Sequence, residues 1–257
     1  MAAEADMKVP PAHSAMVYDE PGSVSLQRRI VKTPMPGHGQ VLIRITHSGI
    51  CHSDHGVMTH AWKWLARRIE PGQVGGHEGV GSIVKLGSGT EASGLRLGDR
   101  IDRVMKKIMI HDCGVEEFLA LEAYSMGLQR QYEVVQAVRK LTDGLGVAAA
   151  VVCTGEASAY TWGFECLRFN GTLVVVGVQQ GDETPICSAS PNAFLFHQRR
   201  IVGSSVGNRL DAIEVMRLAA RGIVKPHFTL RSLEELGDIF EEMEREELLG
   251  KVVVEVL

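Results

Sequence analysis

The sequence predicts an α/β protein in two parts: a small, irregular β domain, then a parallel sheet with helices on both faces. Three observations carry this. Up to about Ile101 the chain is made of short extended runs punctuated by Gly and Pro. From Met105 onward, apolar runs alternate with segments of helical period. Those runs are apolar throughout instead of alternating, as strands covered on both faces are.

In the first part, Val41-Leu42-Ile43-Arg44-Ile45-Thr46 is β-branched and half alternating, and Gly81 to Leu86 extends from a glycine cluster. Gly87, Gly89, Gly94 and Gly98 supply turns. In the second part, Lys107 to Ile110 reads as a short strand, followed by a helix over Glu116 to Glu122. Val134, Val138 and Leu141 recur at helical spacing, and Val147 to Cys153 is short enough for a buried strand. A helix over Ser158 to Arg168 leads to a strand over Leu173 to Val176. Ile213, Met216 and Ala220 line one face of a later helix. Ser232 with Glu235 forms a capping box before a helix with a buried stripe of Leu233, Leu236, Phe240 and Met243. The glutamates at 241, 242, 244, 246 and 247 then form a solvated face, and Val252 to Val254 closes the chain as a strand.

The 257 residues suit one large or two small domains. Lys and Arg total 27 against 31 Asp and Glu, a balance with no electrostatic footprint for nucleic acid. No run approaches the ~18 apolar residues that span a bilayer, so a soluble, cytoplasmic protein without a membrane partner is expected. Five cysteines (Cys51, Cys113, Cys153, Cys166, Cys187), with no CxxC, argue for reduced thiols. Cys153 and Cys166 sit among apolar neighbours and read as core fillers, whereas Cys51 lies in polar company. Six of the ten histidines fall between His38 and His77, which marks the first part as the place for chemistry.

Two segments there stand out. Gly49-Ile50-Cys51-His52-Ser53-Asp54 is followed by Gly75-Gly76-His77-Glu78-Gly79-Val80-Gly81. Thiolate, imidazole and carboxylate are all zinc ligands, so Cys51, His77 and Glu78 are a candidate set. Asp54 suits the carboxylate that orients a ligating histidine, and Ser53 can relay a proton. A phosphate-cradling GxGxxG must follow a strand and open a helix; Gly144-Leu145-Gly146 instead precedes a strand and reads as a turn. Asp112, after the strand ending at Ile110, occupies the place where nucleotide-binding sheets hold ribose hydroxyls.

GICHSD, GGHEGVG and LGDR resemble the zinc-dependent medium-chain alcohol dehydrogenases, especially the fungal type. The resemblance resumes in order with KKIMIHDCG, NGTLVVVGV, RRIVGSSVGNR, ARGIVKP and GKVVVEV, and covers nearly all of the chain. It implies a truncated GroES-like catalytic domain over residues 1–101, a partial Rossmann-type nucleotide-binding domain over 102–244, and a C-terminal return strand over 245–257. Between Asp99 and Met105 the family pattern jumps, and on the order of 100 residues, a domain-sized piece, are missing. With them go the four-cysteine zinc lobe, a third (Cys) ligand of the catalytic zinc, and the first strand and glycine loop of the nucleotide domain.

The resemblance implies Cys51 and His77 as zinc ligands, Glu78 as an alternate ligand, Ser53 as proton relay and Asp54 behind the histidine. It places His52 and Lys251 near a cofactor pyrophosphate, Asp112 at the ribose of NAD(H), and the backbone at Val178 and Val206 against the nicotinamide. The implied activity is hydride transfer between NAD(H) and a small alcohol, aldehyde or ketone, impaired by the lost segment. Two other readings remain. One is a non-redox acid–base enzyme (isomerase, dehydratase or cyclase) using His52, Ser53, Asp54, His55, His77 and Glu78. The other is a non-catalytic remnant that dimerises through an edge strand over Arg200 to Ser204, the homodimer surface the family pattern implies.

Overall fold

The computed structural model describes residues 9–63, 69–102, 131–179 and 182–256. The chain divides into two compact units, residues 1–106 with 215–257, and residues 107–214.

The first unit opens with β1 (Ala12–Tyr18) and β2 (Leu26–Lys32), an antiparallel pair. β3 (Val41–Ile50) follows, then α1 (His52–Met58), β4 (Glu78–Leu86) and the short β5 (Arg100–Asp102). β3 and β4 pair antiparallel with register shifts between Leu42 and Ile43 and between Ile45 and His47. Such irregularities bend a strand and re-aim side chains near its end. Here that end carries Gly49, Ile50 and the start of α1.

The second unit runs α2 (Gln131–Leu141), β6 (Val147–Val152), α3 (Ala157–Glu165), β7 (Leu167–Val175), α4 (Pro191–His197) and β8 (Arg200–Gly203). β6, β7 and β8 form a parallel sheet in that order. Phe164, Leu167 and Leu173 are fully buried beside Val152 and Tyr160, and Ser190 caps α4 by accepting from the Ala193 amide. β7 starts at Leu167, six residues before the expected strand, and α3 stops at Glu165. Val147 pairs with Leu167, which draws the Leu167 segment into the sheet. The Gly144–Gly146 segment is a turn, with both glycines at positive φ.

The unit boundary falls within α5 (Arg209–Ala220), and the chain ends with β9 (Phe228–Ser232), α6 (Leu236–Glu244) and β10 (Lys251–Glu255). β10 pairs antiparallel with β3 and parallel with β9, giving a five-stranded sheet ordered β5-β4-β3-β10-β9. Leu236, Ile239 and Phe240 of α6 share a core with Tyr18, Ile50, Met58, Val252 and Val254. Both β9 and α6 thus pack with the strands of the first unit. The Ser232–Glu235 capping box is present, the Ser232 amide donating to Glu235 Oε2 at 2.8 Å.

Three further expectations fail. Cys153 is exposed, because it follows the last residue of β6, while Cys166 is buried. Ile213, Met216 and Ala220 are exposed; their stripe has the helical period, but α5 buries none of its residues among those described. Glu244 is not simply solvated, since its Oε1 lies 2.9 Å from His55 Nε2. The strand over 107–110, the helix over 116–122, Cys113 and Asp112 lie outside the described residues. Among the described residues no helix is long and apolar enough to cross a membrane.

Candidate metal centre

The site is assembled where β3 ends, α1 begins and β4 begins. Cys51 is the extended residue that caps α1, so its side chain stands at the helix entrance. Asp54, in the first turn, accepts the Cys51 amide N–H on Oδ2 at 3.1 Å. An acidic side chain there also faces the positive end of the helix dipole. The other oxygen, Oδ1, lies 2.8 Å from His77 Nδ1. Asp54 is buried, so one carboxylate fixes both the thiol-bearing turn and the imidazole.

His77 reaches the site from the Gly75-Gly76 turn that leads into β4. Gly76 is at φ +93°, and a Cβ on Gly75 would fall on the Tyr18 hydroxyl. Tyr18 belongs to the buried core, so only glycine lets the turn pass it. With Nδ1 on Asp54, the Nε2 of His77 faces the other donors: Cys51 Sγ, His77 Nε2 and a Glu78 oxygen all lie within 4.8 Å of one another. Ser53 joins them, donating to Cys51 Sγ at 3.0 Å and standing 3.3 Å from His77 Nε2.

The electrostatics follow from this packing. The hydrogen bond to Asp54, then the contact with Cys51, raise the His77 pKa to about 10 in the metal-free protein. Hydrogen bonding to His77 in turn lowers the Cys51 pKa, against the effect of burial. Burial, then the Asp54 charge, push Tyr18 up to about 12.

The donors fit a zinc ion. Tetrahedral zinc with bonds near 2.0–2.3 Å needs donor atoms about 3.3–3.8 Å apart. Small side-chain rotations would bring these three into that range. Glu78 has a second partner, however: its carboxylate lies 2.7 Å from Lys251 Nζ at each oxygen.

Among the other expected site residues, His52 is exposed at the start of α1, its ring 5.6 Å from that of His55. Burial, then the neighbouring His55, lower its pKa. Lys251, expected near phosphate, has its ammonium on Glu78. Val178 follows β7 and Val206 follows β8, both exposed beyond the carboxyl ends of neighbouring parallel strands. Ligands of parallel α/β sheets bind at such ends. Sequence reasoning missed the Glu78–Lys251 pair and the His55–Glu244 contact, neither of which is local in the chain.

Residues 37–143 match the alcohol dehydrogenase GroES-like domain, and residues 112–221 match the zinc-binding dehydrogenase family. The chain is 31% identical over 364 positions to alcohol dehydrogenase 2 of Emericella nidulans, an alignment covering 97% of this chain and 99% of the relative. The fold is shared with the alcohol dehydrogenase of the archaeon Aeropyrum pernix (TM-score 0.73, 19% identity, 95% of this chain and 100% of the other). It is shared also with acetophenone reductase from Geotrichum candidum, solved in complex with NAD (TM-score 0.67, 20% identity, 97% and 98%). The fungal relative, aligned along nearly the whole of both proteins, settles the ancestry: the chain belongs to the zinc-binding, medium-chain alcohol dehydrogenase family.

Proposed function

We propose that this chain is an alcohol dehydrogenase-like oxidoreductase that moves a hydride between NAD(H) and a small alcohol, aldehyde or ketone, with reduced turnover. The observation that carries the reading is the convergence of Cys51 Sγ, His77 Nε2 and Glu78 within 4.8 Å, with Asp54 behind His77. Cys51, His77 and Glu78 would hold zinc. When bound, zinc supplies a Lewis acid at the substrate oxygen and NAD(H) supplies or accepts the hydride. Asp54 fixes the His77 tautomer so that Nε2 faces the site. The Ser53 hydroxyl, between Cys51 Sγ and His77 Nε2, holds and passes the proton exchanged with substrate.

Residues toward the cofactor are supported at its nicotinamide end. The loops after β6 and β7 meet backbone to backbone, where a Cβ on Gly155 would stand 2.6 Å from the Val178 carbonyl oxygen. Tyr160 Oη ties the same loops, lying 2.9 Å from the Thr154 carbonyl and 2.7 Å from that of Gly177. Reduced turnover is supported by length: the alignment runs over 364 positions, whereas this chain has 257 residues. No GxGxxG follows a strand to receive the pyrophosphate.

The acid–base reading keeps one specific support, because the Asp54–His77–Ser53 chain is complete in protein atoms alone. For assembly, β8 pairs only with β7 among the described strands and is the edge a second copy would extend.

Calorimetric titration with NADH, beside metal analysis of the purified protein, tests the proposal. Saturable micromolar NADH binding, abolished by Asp112→Ala, with one zinc per chain, is the expected result. A cooperatively folded protein that takes up neither would overturn it and leave the acid–base reading.

A further inference from the structure

Glu78 and Lys251 meet across a strand that lies between them. In the sheet order β4-β3-β10, Glu78 of β4 is paired with Gly49 of β3, and Gly49 in turn with Val253 of β10. Lys251 lies two residues from Val253 and so on the same face of β10. The central position is glycine, and a Cβ there would fall on Glu78 Oε2 and stand 3.2 Å from Lys251 Cε. The missing side chain opens a channel through which carboxylate and ammonium join over β3. The same carboxylate is the third donor of the Cys51–His77–Glu78 group, its Oε1 3.9 Å from His77 Nε2.

We propose that Lys251 is a gate on the metal centre, competing with a divalent cation for the Glu78 carboxylate across Gly49. The inference rests on the metal reading above. With Cys51 and His77 alone, a bound cation has two protein donors, and Glu78 is the group that completes a three-donor set. While Lys251 holds Glu78, the site is a two-donor site with an extra positive charge beside it. Once Lys251 turns away, both oxygens are released. The exchange is inexpensive for the lysine, which is about two-fifths exposed and finds water readily. A half-exposed ion pair is a modest interaction, so the gate biases metal binding without locking it. An anion drawing the ammonium away would tighten the metal site from outside its ligand set.

The test is zinc affinity of the full chain, measured by competition with a chromophoric chelator. Lys251→Met should bind zinc on the order of 2- to 5-fold more tightly than the wild type. Lys251→Arg, which keeps the pair, should stay near the wild-type value. In a Glu78→Gln background, Lys251→Met should lose that gain, which shows that the lysine acts through the carboxylate. With cobalt(II) in place of zinc, Lys251→Met should also alter the visible ligand-field spectrum as a carboxylate joins the shell. Zinc binding that is unchanged or weaker in Lys251→Met overturns the gate alone. So does an equal gain in the Glu78→Gln background, since the lysine would then act only as a repelling charge. A folded protein in which neither wild type nor Lys251→Met binds zinc overturns the metal centre together with the gate.

Discussion

Asp54 and His77 are joined through 2.8 Å between Oδ1 and Nδ1, while the second oxygen of Asp54 accepts the Cys51 amide. One buried carboxylate thus couples Cys51 and His77, two donors of the proposed metal centre, which lie 26 residues apart in sequence. It does so from the first turn of a helix whose start Cys51 caps. The arrangement makes the site rigid on its α1 side and leaves Glu78, shared with Lys251, as its adjustable member.

Asp54→Asn should therefore weaken zinc binding about 10- to 100-fold, the usual effect of losing the group behind a ligating histidine. Loss of the charge at the helix start should also cost roughly 1 kcal/mol of stability. Chelator competition and urea denaturation on the same preparation check both. Wild-type zinc affinity in a destabilised Asp54→Asn would confine the residue to a capping role.

The metal-free protein should show an alkaline loss of stability traceable to His77. Its pKa rises from 6.5 to about 10 on folding, so its contribution is complete below 6.5 and disappears as pH climbs through 10. Cys51 shifts the other way: its contribution is complete above 9 and is lost as pH falls through its lowered value. Where both slopes operate they oppose each other; between pH 9 and about 10 the His77 slope remains, joined by that of Cys166, whose thiol burial pushes up to about 11 and which both proteins share. Unfolding free energy should fall over that interval in the chelated wild type and fall less in His77→Asn. Parallel curves for the two proteins would show that the imidazole is not held protonated.

Much of the architecture was legible because it is periodic or local. The capping box at Ser232 and Glu235, the stripe through Leu236 and Phe240, and the strand at Val252 to Val254 each declare themselves within a few residues. Cys51, His77 and Glu78 stood out by residue chemistry, and Asp54 as a carboxylate suited to orient a ligating histidine. What stayed hidden depends on sheet order. Nothing in Lys251 or Gly49 says that β10 will lie beside β3, so the Glu78–Lys251 pair could not be read. Glu244 looked like one more solvated glutamate because its partner, His55, is 189 residues away. Periodicity also misled at α5, whose apolar stripe is exposed among the described residues.

That His55–Glu244 contact holds α1 to α6. The His55 side chain is 9% exposed, and its Nδ1 has no hydrogen-bond partner among the described atoms. Glu244→Ala would leave the other ring nitrogen unpaired as well, at a cost of about 1–3 kcal/mol. Urea denaturation near pH 8 measures this, and a loss under about 0.5 kcal/mol, the range of ordinary surface substitutions, would mean that water replaces the carboxylate. Because α1 carries Ser53 and Asp54, the same variant should lower zinc affinity more than it lowers that of a protein destabilised equally in the β6-β7-β8 unit.

Tyr160 offers the corresponding test for the proposed cofactor crevice. Its ring is buried, and its hydroxyl lies between the carbonyls of Thr154 and Gly177, one in each loop beyond β6 and β7. A hydroxyl has one proton, so it donates to one carbonyl at a time and holds the two loops at a fixed separation. Tyr160→Phe keeps the packing but leaves both carbonyls without this donor, at a cost of about 1–2 kcal/mol. If the loop bearing Val178 forms the nicotinamide wall, NADH affinity should drop several-fold in this variant, while zinc affinity, set by residues of the other unit, stays unchanged. Denaturation, NADH titration and chelator competition separate these effects. Stability lost with NADH affinity intact would make Tyr160 a structural tie alone and move the cofactor site away from the Val178 loop.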